Sequence, residues 1–243
     1  MRFLSSTIEP QSIVTLSPDA AHHARVLRLA VGDTVELFDG QGTAIDATIT
    51  LLSREQLQCR TGHQVQHHPR PSPPVHLIQA CPKKAKLDTI VRMGTELGMQ
   101  SLHVVNSRYA SVQINHSTSL HTRLTRIASE ALRQSKRYWL PQITLGGTLN
   151  EAAQSYRDKH ADLIGVVAWE QSKRPWASCV DTLQNKQPRC IVVGAEGGLH
   201  TDEIAHLHAQ GWQDVSLGNA ILRVETAAPI MLALTTQCVE NQP

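Results

Sequence analysis

A proline-rich segment, HHPRPSPP at residues 67–74, restricts the fold of this chain more than any other feature. Each proline fixes its own φ angle and lacks an amide hydrogen, so neither a helix nor a central strand can continue through the segment. The chain has 243 residues, of which 41% are hydrophobic, and this allows either one large domain or two modest ones. We therefore predict two domains, at residues 1–70 and 75–243, joined by a linker.

The chain before the linker carries short runs of β-forming residues. Turn signals at Asp39-Gly40 and Gly42 separate these runs, which is typical of antiparallel strands joined by tight turns. One amphipathic segment predicts a helix over residues 18–29, with Ser17 as its N-cap. The predicted strands are Thr34–Phe38, Ala44–Leu52 and Gln56–Arg60. This part of the chain is predicted to form a small antiparallel β-barrel.

The chain after the linker alternates apolar runs with helical patterns. This alternation is the signature of an α/β fold built on a largely parallel sheet. Helical spacing predicts one helix that ends before Gly98, a natural C′ glycine, and another that ends before Pro141. The apolar runs, each interpreted as a strand, are Val75–Ala80, Ser101–Val105, Leu163–Ala168, Cys190–Val193 and Asp214–Leu217.

Charge and cysteine content argue against several classes of protein. The formal net charge is +2, with basic residues bunched at KKAK (83–86), at SEALRQSKR (129–137) and near Arg25 and Arg28, which permits a polyanionic partner without requiring one. Five cysteines without a C-x-x-C pair argue against a disulfide framework and a zinc site. No histidine spacing places two metal ligands on one helix face, so no metal is expected. With no secretory signal and no run of about 18 apolar residues, we expect a cytoplasmic protein without a membrane span.

Two glycine-bearing loops near the C-terminus carry the strongest functional signal. GAEGGLHTDEI at residues 194–204 and LGNAILRVETA at residues 217–227 each follow a predicted strand and lead into a predicted helix. In an open α/β sheet, the crevice beyond the strand ends is the usual ligand site. The first loop is neither G-x-G-x-x-G nor a P-loop, and the acids Asp202 and Glu203 in the next helical turn would repel phosphate. The alternative interpretation is an ordinary strand-to-helix turn.

The second loop combines an apolar lip with a charged pair. Leu217, Ile221 and Leu222 beside free backbone groups suit a neutral ring such as adenine better than a polyphosphate. Arg223 is the natural electrostatic group beside such a ligand. The alternative is a structural salt bridge between Arg223 and Glu225 at the start of the last helix, where Pro229 fits an early helical position.

Motifs along nearly the whole chain, taken together, resemble the ribosomal RNA small subunit methyltransferase E family of the SPOUT superfamily. The N-terminal motifs are Arg2-Phe3 and RVLR at residues 25–28, followed by VGDTVELFDG. The central motifs are Lys83, Lys86 and ELGM at residues 96–99, and the last are the two glycine loops. That family methylates N3 of a uridine in 16S rRNA of the small ribosomal subunit. The resemblance implies the same reaction, with S-adenosylmethionine as cofactor.

The resemblance also implies a fold. The C-terminal SPOUT domain would be a parallel sheet tied in a deep trefoil knot, with helices on both faces, and a small PUA-like β-barrel would precede it as the RNA-binding module. Family members are homodimers, so a homodimer is implied here too. The substrate would be 16S rRNA in the small subunit or its precursor.

The resemblance further implies roles for individual residues. Arg223 would be catalytic, and Glu196 and Glu225 are candidates for the general base by position only. The cofactor would be held by Val167, Ala168, Gly194, Glu196, Gly197, Leu217, Gly218, Ile221 and Leu222. The RNA would be bound by Arg2, Arg25, Arg28, Lys83, Lys84, Lys86, Arg108 and Arg137.

Four places depart from the family pattern. Ala195 replaces a proline, Asn219-Ala220 replace Pro-Arg, Ser107 stands where Glu is common, and Arg133 replaces another Glu. Three alternatives therefore stay open. They are a related methyltransferase with a different RNA target, a catalytically silent RNA-binding protein that acts in ribosome assembly, and a nucleotide-binding α/β enzyme that uses GAEGG for phosphate.

Overall fold

The computed structural model describes residues 1–183 and 186–240, and the chain divides into two compact units. The N-terminal unit comprises Met1–Arg70 together with Leu132–Leu140. The C-terminal unit comprises Pro71–Ala131 and the chain from Pro141 onward. Residues 132–140 therefore belong to the N-terminal unit, although they lie within the sequence range of the predicted second domain.

The N-terminal unit is built on a five-stranded sheet with the strand order β1-β3-β4-β5-β2. Strand β1 pairs with β3 in parallel, and the other pairs are antiparallel. The predicted antiparallel barrel is thus a mixed half-barrel whose two edge strands, β1 and β2, do not pair with each other. Its elements are β1 (Arg2–Leu4), β2 (Ile13–Leu16), α1 (Pro18–Val26), β3 (Thr34–Phe38), β4 (Thr43–Leu52) and β5 (Leu57–His67).

Helix α1 and segment 132–140 both pack onto this sheet. The Ser17 side chain caps α1 by accepting the Ala20 N–H, as predicted. The helix ends at Val26 rather than at residue 29, because Arg28 adopts the left-handed region with φ of 59°. Leu132 is buried in an apolar cluster with Phe38 and Ala44 of the sheet, which explains why its segment belongs to this unit.

The C-terminal unit contains a six-stranded sheet with the order β11-β9-β10-β6-β7-β8, in which every pair is parallel. This confirms the α/β interpretation. Its elements are β6 (Val75–Ala80), α2 (Lys84–Glu96), β7 (Ser101–Asn106), α3 (Thr118–Ser135), β8 (Gln142–Thr148), α4 (Leu149–Lys159), β9 (Ile164–Ala168), a 3-10 helix (Trp176–Cys179), α5 (Val180–Leu183), β10 (Arg189–Val193), α6 (Thr201–Ala209), β11 (Gln213–Val215) and α7 (Val224–Glu240). The last four residues of α3 fall in the N-terminal unit.

Helices cover both faces of this sheet. Helices α4 and α6 pack on the face that carries Ile78 and Val192, in a core closed by Trp212. Helices α2 and α7 pack against each other, and α7 contacts β6 and β10. Side chains alternate across a strand, so Leu77 and Ile191 point to the opposite face from Ile78 and Val192. The trefoil knot that the resemblance implies stays a prediction.

The helix ends of this unit partly follow the sequence signals. Helix α2 has Leu97 as its C-cap, followed by Gly98 with φ of 85°, as predicted. Helix α6 is capped by His200, whose Nδ1 accepts the Asp202 N–H, so the helix begins at Thr201. Pro229 is the sixth residue of α7 and not an early one, which leaves the Glu225 carbonyl without its usual helical donor. None of the described helices is long and apolar enough to span a membrane.

Candidate active site

The two glycine loops converge on one cavity in the C-terminal unit. Strands β9, β10 and β11 are parallel neighbours, so their carboxyl ends, and the loops that follow them, meet at the same edge of the sheet. The cavity there has a volume of about 440 Å³. Nine of the residues predicted as catalytic or cofactor-binding line it, namely Ala168, Gly194, Glu196, Gly197, Leu217, Gly218, Ile221, Leu222 and Arg223.

Val167 is the one predicted cofactor residue that does not line the cavity. It is fully buried in the apolar core beneath α4 and α6, where it packs with Val192. Its neighbour Ala168 is the last residue of β9 and does line the cavity. The contact set therefore begins at Ala168 and continues through Trp169 and Glu170.

The first loop is a tight turn that only glycines can form. The Gly198 N–H donates to the Ala195 carbonyl at 3.0 Å, and Gly198 has φ of 75°. A β-carbon added at Gly194 would lie 2.9 Å from the carbonyl carbon of Gly198, closer than side chains tolerate. The sequence therefore places glycine at both ends of the turn because the backbone closes on itself there.

The second loop offers free backbone groups and an exposed apolar side chain. Gly218 has φ of 118°, and its N–H donates to Ser216 Oγ at 3.2 Å. Within residues 1–183 and 186–240, the N–H groups of Leu217, Ile221 and Leu222 make no backbone hydrogen bond. The Ile221 side chain is 85% exposed, which is unusual for an isoleucine in a folded domain. The loop thus has the means to bind a ring by its edge and its face.

Lys86 forms ion pairs with one acid in the first loop and with one acid just after the second loop. Lys86 Nζ lies 3.4 Å from Glu196 Oε1 in the first loop and 3.4 Å from Glu225 Oε2 after the second. The salt bridge between Arg223 and Glu225 that the sequence left open does not form, because Glu225 pairs with Lys86 instead. Arg223 is exposed at the cavity and makes no ion pair or side-chain hydrogen bond with the described part of the chain.

Glu196 is held as a carboxylate. Its Oε1 accepts the backbone N–H of Lys83 at 3.0 Å, at the N-terminus of α2. Burial alone would raise the pKa of Glu196, but the Lys83 N–H, its own backbone N–H and Lys86 together lower this pKa below its ordinary value. A carboxylate with a lowered pKa is a weaker base, so Glu196 is a poorer candidate for the group that accepts the substrate proton.

Some residues at the site were not predicted from the sequence. Gln79 is fully buried at the end of β6, and its Nε2 donates to the carbonyls of Val193 at 3.2 Å and Gly194 at 2.9 Å. It therefore fixes the point where the first loop leaves the sheet. Trp169 and Glu170 line the cavity from the end of β9. A polar or bulky residue directly after the predicted strand Leu163–Ala168 is a signal that could have found Trp169 and Glu170, whereas Gln79 lies inside the predicted strand Val75–Ala80 and has no such signal.

The described residues contain no group of three or more side chains suited to hold a metal ion.

Comparison with known proteins assigns the chain to a family. The model of the RNA methyltransferase domain matches residues 69–236, and that of the RNA methyltransferase PUA domain matches residues 16–61. The ribosomal RNA small subunit methyltransferase E of Synechocystis sp. is 30% identical over 235 residues, which cover 95% of this chain and 75% of the relative. The chain belongs to the ribosomal RNA small subunit methyltransferase E family.

Two further relatives agree with this assignment. The ribosomal RNA small subunit methyltransferase E of Bacillus subtilis is 26% identical over 228 residues, covering 90% of this chain and 88% of the relative. The crystal structure of the Neisseria gonorrhoeae enzyme, bound to S-adenosyl methionine, superposes with a TM-score of 0.86 at 24% identity and covers 98% of this chain and 97% of that one. The fold of this methyltransferase family member is therefore that of its relatives over nearly the full chain.

The predicted RNA-binding residues of the C-terminal unit fall into two groups. Lys83 and Lys84 are exposed at the start of α2. Arg108 is also exposed, but its Nη1 donates to Asp202 Oδ2 at 2.9 Å and to His200 Nδ1 at 3.2 Å, at the N-terminus of α6. Lys86 is only partly exposed and is already paired with two carboxylates. Lys83 and Lys84 are thus the most available cations among them.

The predicted RNA-binding residues of the N-terminal unit also differ in how exposed they are. Arg25 and Arg28 are exposed at the end of α1, and Arg137 is half-buried, with its carbonyl accepting from Arg2 Nη1. Arg2 is only 7% exposed. Its Nε pairs with Glu36 Oε1 at 2.6 Å, and its guanidinium lies over the Phe38 ring at 4.4 Å from the ring centroid. Arg2 is therefore a structural residue of this family member and is not available to bind a phosphate.

Proposed function

We propose that this chain binds S-adenosylmethionine in the loop cavity and methylates N3 of a uridine in 16S rRNA. The chain belongs to this family, and one structural observation supports the proposal most directly. The two glycine loops line a single cavity, and Arg223 stands at that cavity with no partner in the described chain. An exposed, unpaired guanidinium beside a ligand cavity is available to act on a reacting group.

The cavity fits an adenosyl ligand better than a polyphosphate. Its volume of about 440 Å³ falls within the range of small-molecule sites. Leu217 and Leu222 offer apolar surface and free amide groups for the faces and edge of a purine. A phosphate bound by the first loop would face the N-terminus of α6, but His200 already caps that helix and Asp202 and Glu203 lie in its first turn. These features favour a neutral ring over a nucleoside triphosphate.

The reaction requires the protein to position the substrate, to allow loss of a proton and to stabilise the negative charge that develops. When bound, S-adenosylmethionine supplies an electrophilic methyl group on a sulfonium. The protein must hold the uridine N3 in line with that methyl at roughly 3–3.5 Å. The N3 proton must also leave, and negative charge then spreads over the two flanking carbonyl oxygens. Arg223 supplies the fixed positive charge that stabilises this developing anion.

Neither of the two glutamates named as candidates is assigned the role of general base. Glu196 and Glu225 share the charge of Lys86, and the lowered pKa of Glu196 weakens it as a proton acceptor. Glu170 is an exposed carboxylate at the cavity, and a β-carbon at Gly198 would lie 2.8 Å from its Oε1. It makes no ion pair or side-chain hydrogen bond within the described chain. Among Glu170, Glu196 and Glu225, Glu170 therefore has the fewest competing partners as a candidate general base.

Exposed cations on each unit support an RNA substrate. Arg25 and Arg28 on the N-terminal unit, and Lys83 and Lys84 on the C-terminal unit, are positioned to neutralise phosphates. Such contacts fix the position of an RNA without reading its sequence. We infer that the substrate is 16S rRNA in the small subunit or its precursor, with Arg108 and Arg137 as further candidate contacts.

The proposal includes a homodimer. The 85% exposed Ile221 stands on the second cofactor loop, and burying it against a second copy of the chain would remove its cost in water. Light scattering on the purified protein tests this point. We expect a dimer for the natural chain and a weaker dimer for Ile221→Asp, whereas a monomeric natural chain would contradict it.

Calorimetry and mass spectrometry test the function. We expect S-adenosylmethionine to bind and ATP not to bind. Small subunits from cells that lack the modification should then gain a methyl group from labelled cofactor, and mass spectrometry should locate it on N3 of one uridine. ATP binding alone would favour a nucleotide enzyme. A methyl on another nucleotide would identify a different target, and no incorporation would favour a silent assembly factor.

A further inference from the structure

Lys86 occupies an unusual position among the cations of this chain. It lies in the first turn of α2, yet its ammonium group reaches Glu196 in the first loop and Glu225 in the first turn of α7, directly after the second loop. Its side chain is 28% exposed, and the partner carboxylates of Glu196 and Glu225 are 24% and 22% exposed. No other single side chain in the described residues ion-pairs both with an acid of the first loop and with an acid next to the second loop.

We propose that Lys86 is a positioning residue that holds the two cofactor loops at their working separation, and that it is not an RNA contact. The proposal rests on the proposed function, because it assigns Lys86 to the cofactor side of that reaction. Lys86 lines the cavity together with residues of both loops. Its role is to act through Glu196 and Glu225 on the shape of the binding site.

Charge balance explains why both loops need this lysine. Glu225 Oε2 is buried and accepts no hydrogen bond from the described residues, so the Lys86 ammonium at 3.4 Å is its compensating charge. Without Lys86, the carboxylates of Glu196 and Glu225, which both lie 3.4 Å from its Nζ, would lose the cation between them, and Glu196 would keep only its backbone N–H donors. Like charges at short range repel, and a partly buried charge that loses its partner is costly. The loops would then move apart or admit water.

The anchor for this arrangement is helix α2. Leu87 and Ile90 bury one side of its first turns, so the backbone that carries Lys86 is fixed by packing. Glu196 is held a second time by the Lys83 N–H at 3.0 Å, at the N-terminus of the same helix. The first loop therefore has two links to α2, whereas the second loop is linked to α2 through the Lys86–Glu225 ion pair and through the packing of α7, the helix that follows this loop, against α2.

The same geometry argues against an RNA role for Lys86. An ammonium has three donors and one charge, and here two carboxylates share that charge. A phosphate would have to displace a carboxylate and leave it uncompensated. Lys84, two residues earlier, is exposed and makes no ion pair within residues 1–183 and 186–240, so it is the matched lysine for comparison.

The first test separates cofactor affinity from RNA affinity. Calorimetry should show that Lys86→Met raises the Kd for S-adenosylmethionine about tenfold, while Lys86→Arg, which keeps the charge, recovers most of the affinity. RNA binding by Lys86→Met should stay close to that of the natural chain. Lys84→Met should show the opposite pattern, with weaker RNA binding and an unchanged cofactor Kd. Lys86→Met with an unchanged cofactor Kd and weakened RNA binding would overturn the proposal.

The second test needs no cofactor. Hydrogen exchange of the free protein should be faster in Lys86→Met at both residues 194–198 and residues 217–223, with the remaining sheet unchanged. Faster exchange in only one loop, or throughout the unit, would contradict a link between the loops. If the natural chain fails to bind S-adenosylmethionine, the proposed function fails, whereas the coupled exchange of the two loops still decides whether Lys86 holds them together.

Discussion

Gly165 lies directly against the indole ring of Trp212. A β-carbon added at Gly165 would come within 2.6 Å of the Trp212 Cδ2 and Cε3 atoms. Gly165 belongs to β9, whose last residue lines the cavity, and Trp212 is 2% exposed in the core beneath α4 and α6. The strand that leads into the cavity therefore depends on the absence of a side chain at this position.

Gly165→Ala should destabilise the C-terminal unit by about 1–3 kcal/mol, because the added methyl overpacks a filled core. Urea denaturation followed by circular dichroism measures this change. The double variant Gly165→Ala/Trp212→Leu should be less destabilised than the sum of the two single variants, since the smaller leucine makes room for the methyl. Additive effects of the two substitutions would show that the contact is not the cause.

Arg2→Met and Arg28→Met should have opposite effects. Arg2→Met leaves Glu36 without its partner, so the N-terminal unit should lose on the order of 3 kcal/mol of stability. Arg28→Met should leave stability unchanged but should weaken RNA binding. It should also reduce the slope of log K against log salt by about 0.7–0.9, the value for one lost phosphate contact. If Arg2→Met left the stability unchanged and reduced the slope of log K against log salt, Arg2 would instead be an RNA contact.

The predictions from sequence succeeded where local signals sufficed. Strands Thr34–Phe38 and Val75–Ala80 match the predicted bounds, because turn residues flank compact apolar runs. Strands β1 and β2 were not predicted. They have three and four residues, too few for a periodic pattern, and they exist because β3 and β5 supply their hydrogen-bond partners. Strand β5 extends to His67 for the same reason, through pairing of its polar half with β4.

The candidate site shows the same division. The glycines of both loops were found from sequence, because a turn that leaves a strand has a local signature. The pairing of Lys86 with Glu196 and Glu225 was not found, since these residues are far apart in the chain and only the fold brings them together. Val167 was predicted as a cofactor contact from the family resemblance, and alternation along β9 turns its side chain into the core.

Stability should depend on pH through Glu196. Its pKa in the folded chain lies below the ordinary value of 4.5, so its ion pair and hydrogen bond stabilise the fold above about pH 4.5. That contribution is lost as the pH falls through the folded pKa. The free-energy difference between the natural chain and Glu196→Gln should therefore be constant near neutral pH and should shrink below pH 4.5. Urea denaturation at several pH values measures it, and a difference that grows toward acid pH would refute this assignment.

Arg223→Ala should separate catalysis from binding. If Arg223 stabilises the anion that develops on the uridine, its loss should lower kcat by about 100–1,000-fold, the effect of removing one such donor in other enzymes. The Kd for S-adenosylmethionine should change little, because the free amides of Leu217 and Leu222 remain in place. Lys173→Ala, which removes an exposed cation outside the cavity lining, is the matched control and should retain full activity.

Arg223→Lys distinguishes charge from geometry at the same position. A lysine keeps the positive charge but lacks the planar fork of a guanidinium, so it should recover only part of the lost rate. Single-turnover methylation of small subunits at saturating cofactor measures the chemical step directly. If Arg223 instead orients a phosphate of the RNA, Arg223→Ala should raise the KM for the subunit and leave the single-turnover rate at saturating RNA unchanged. Unchanged turnover in Arg223→Ala under all conditions would remove Arg223 from the mechanism.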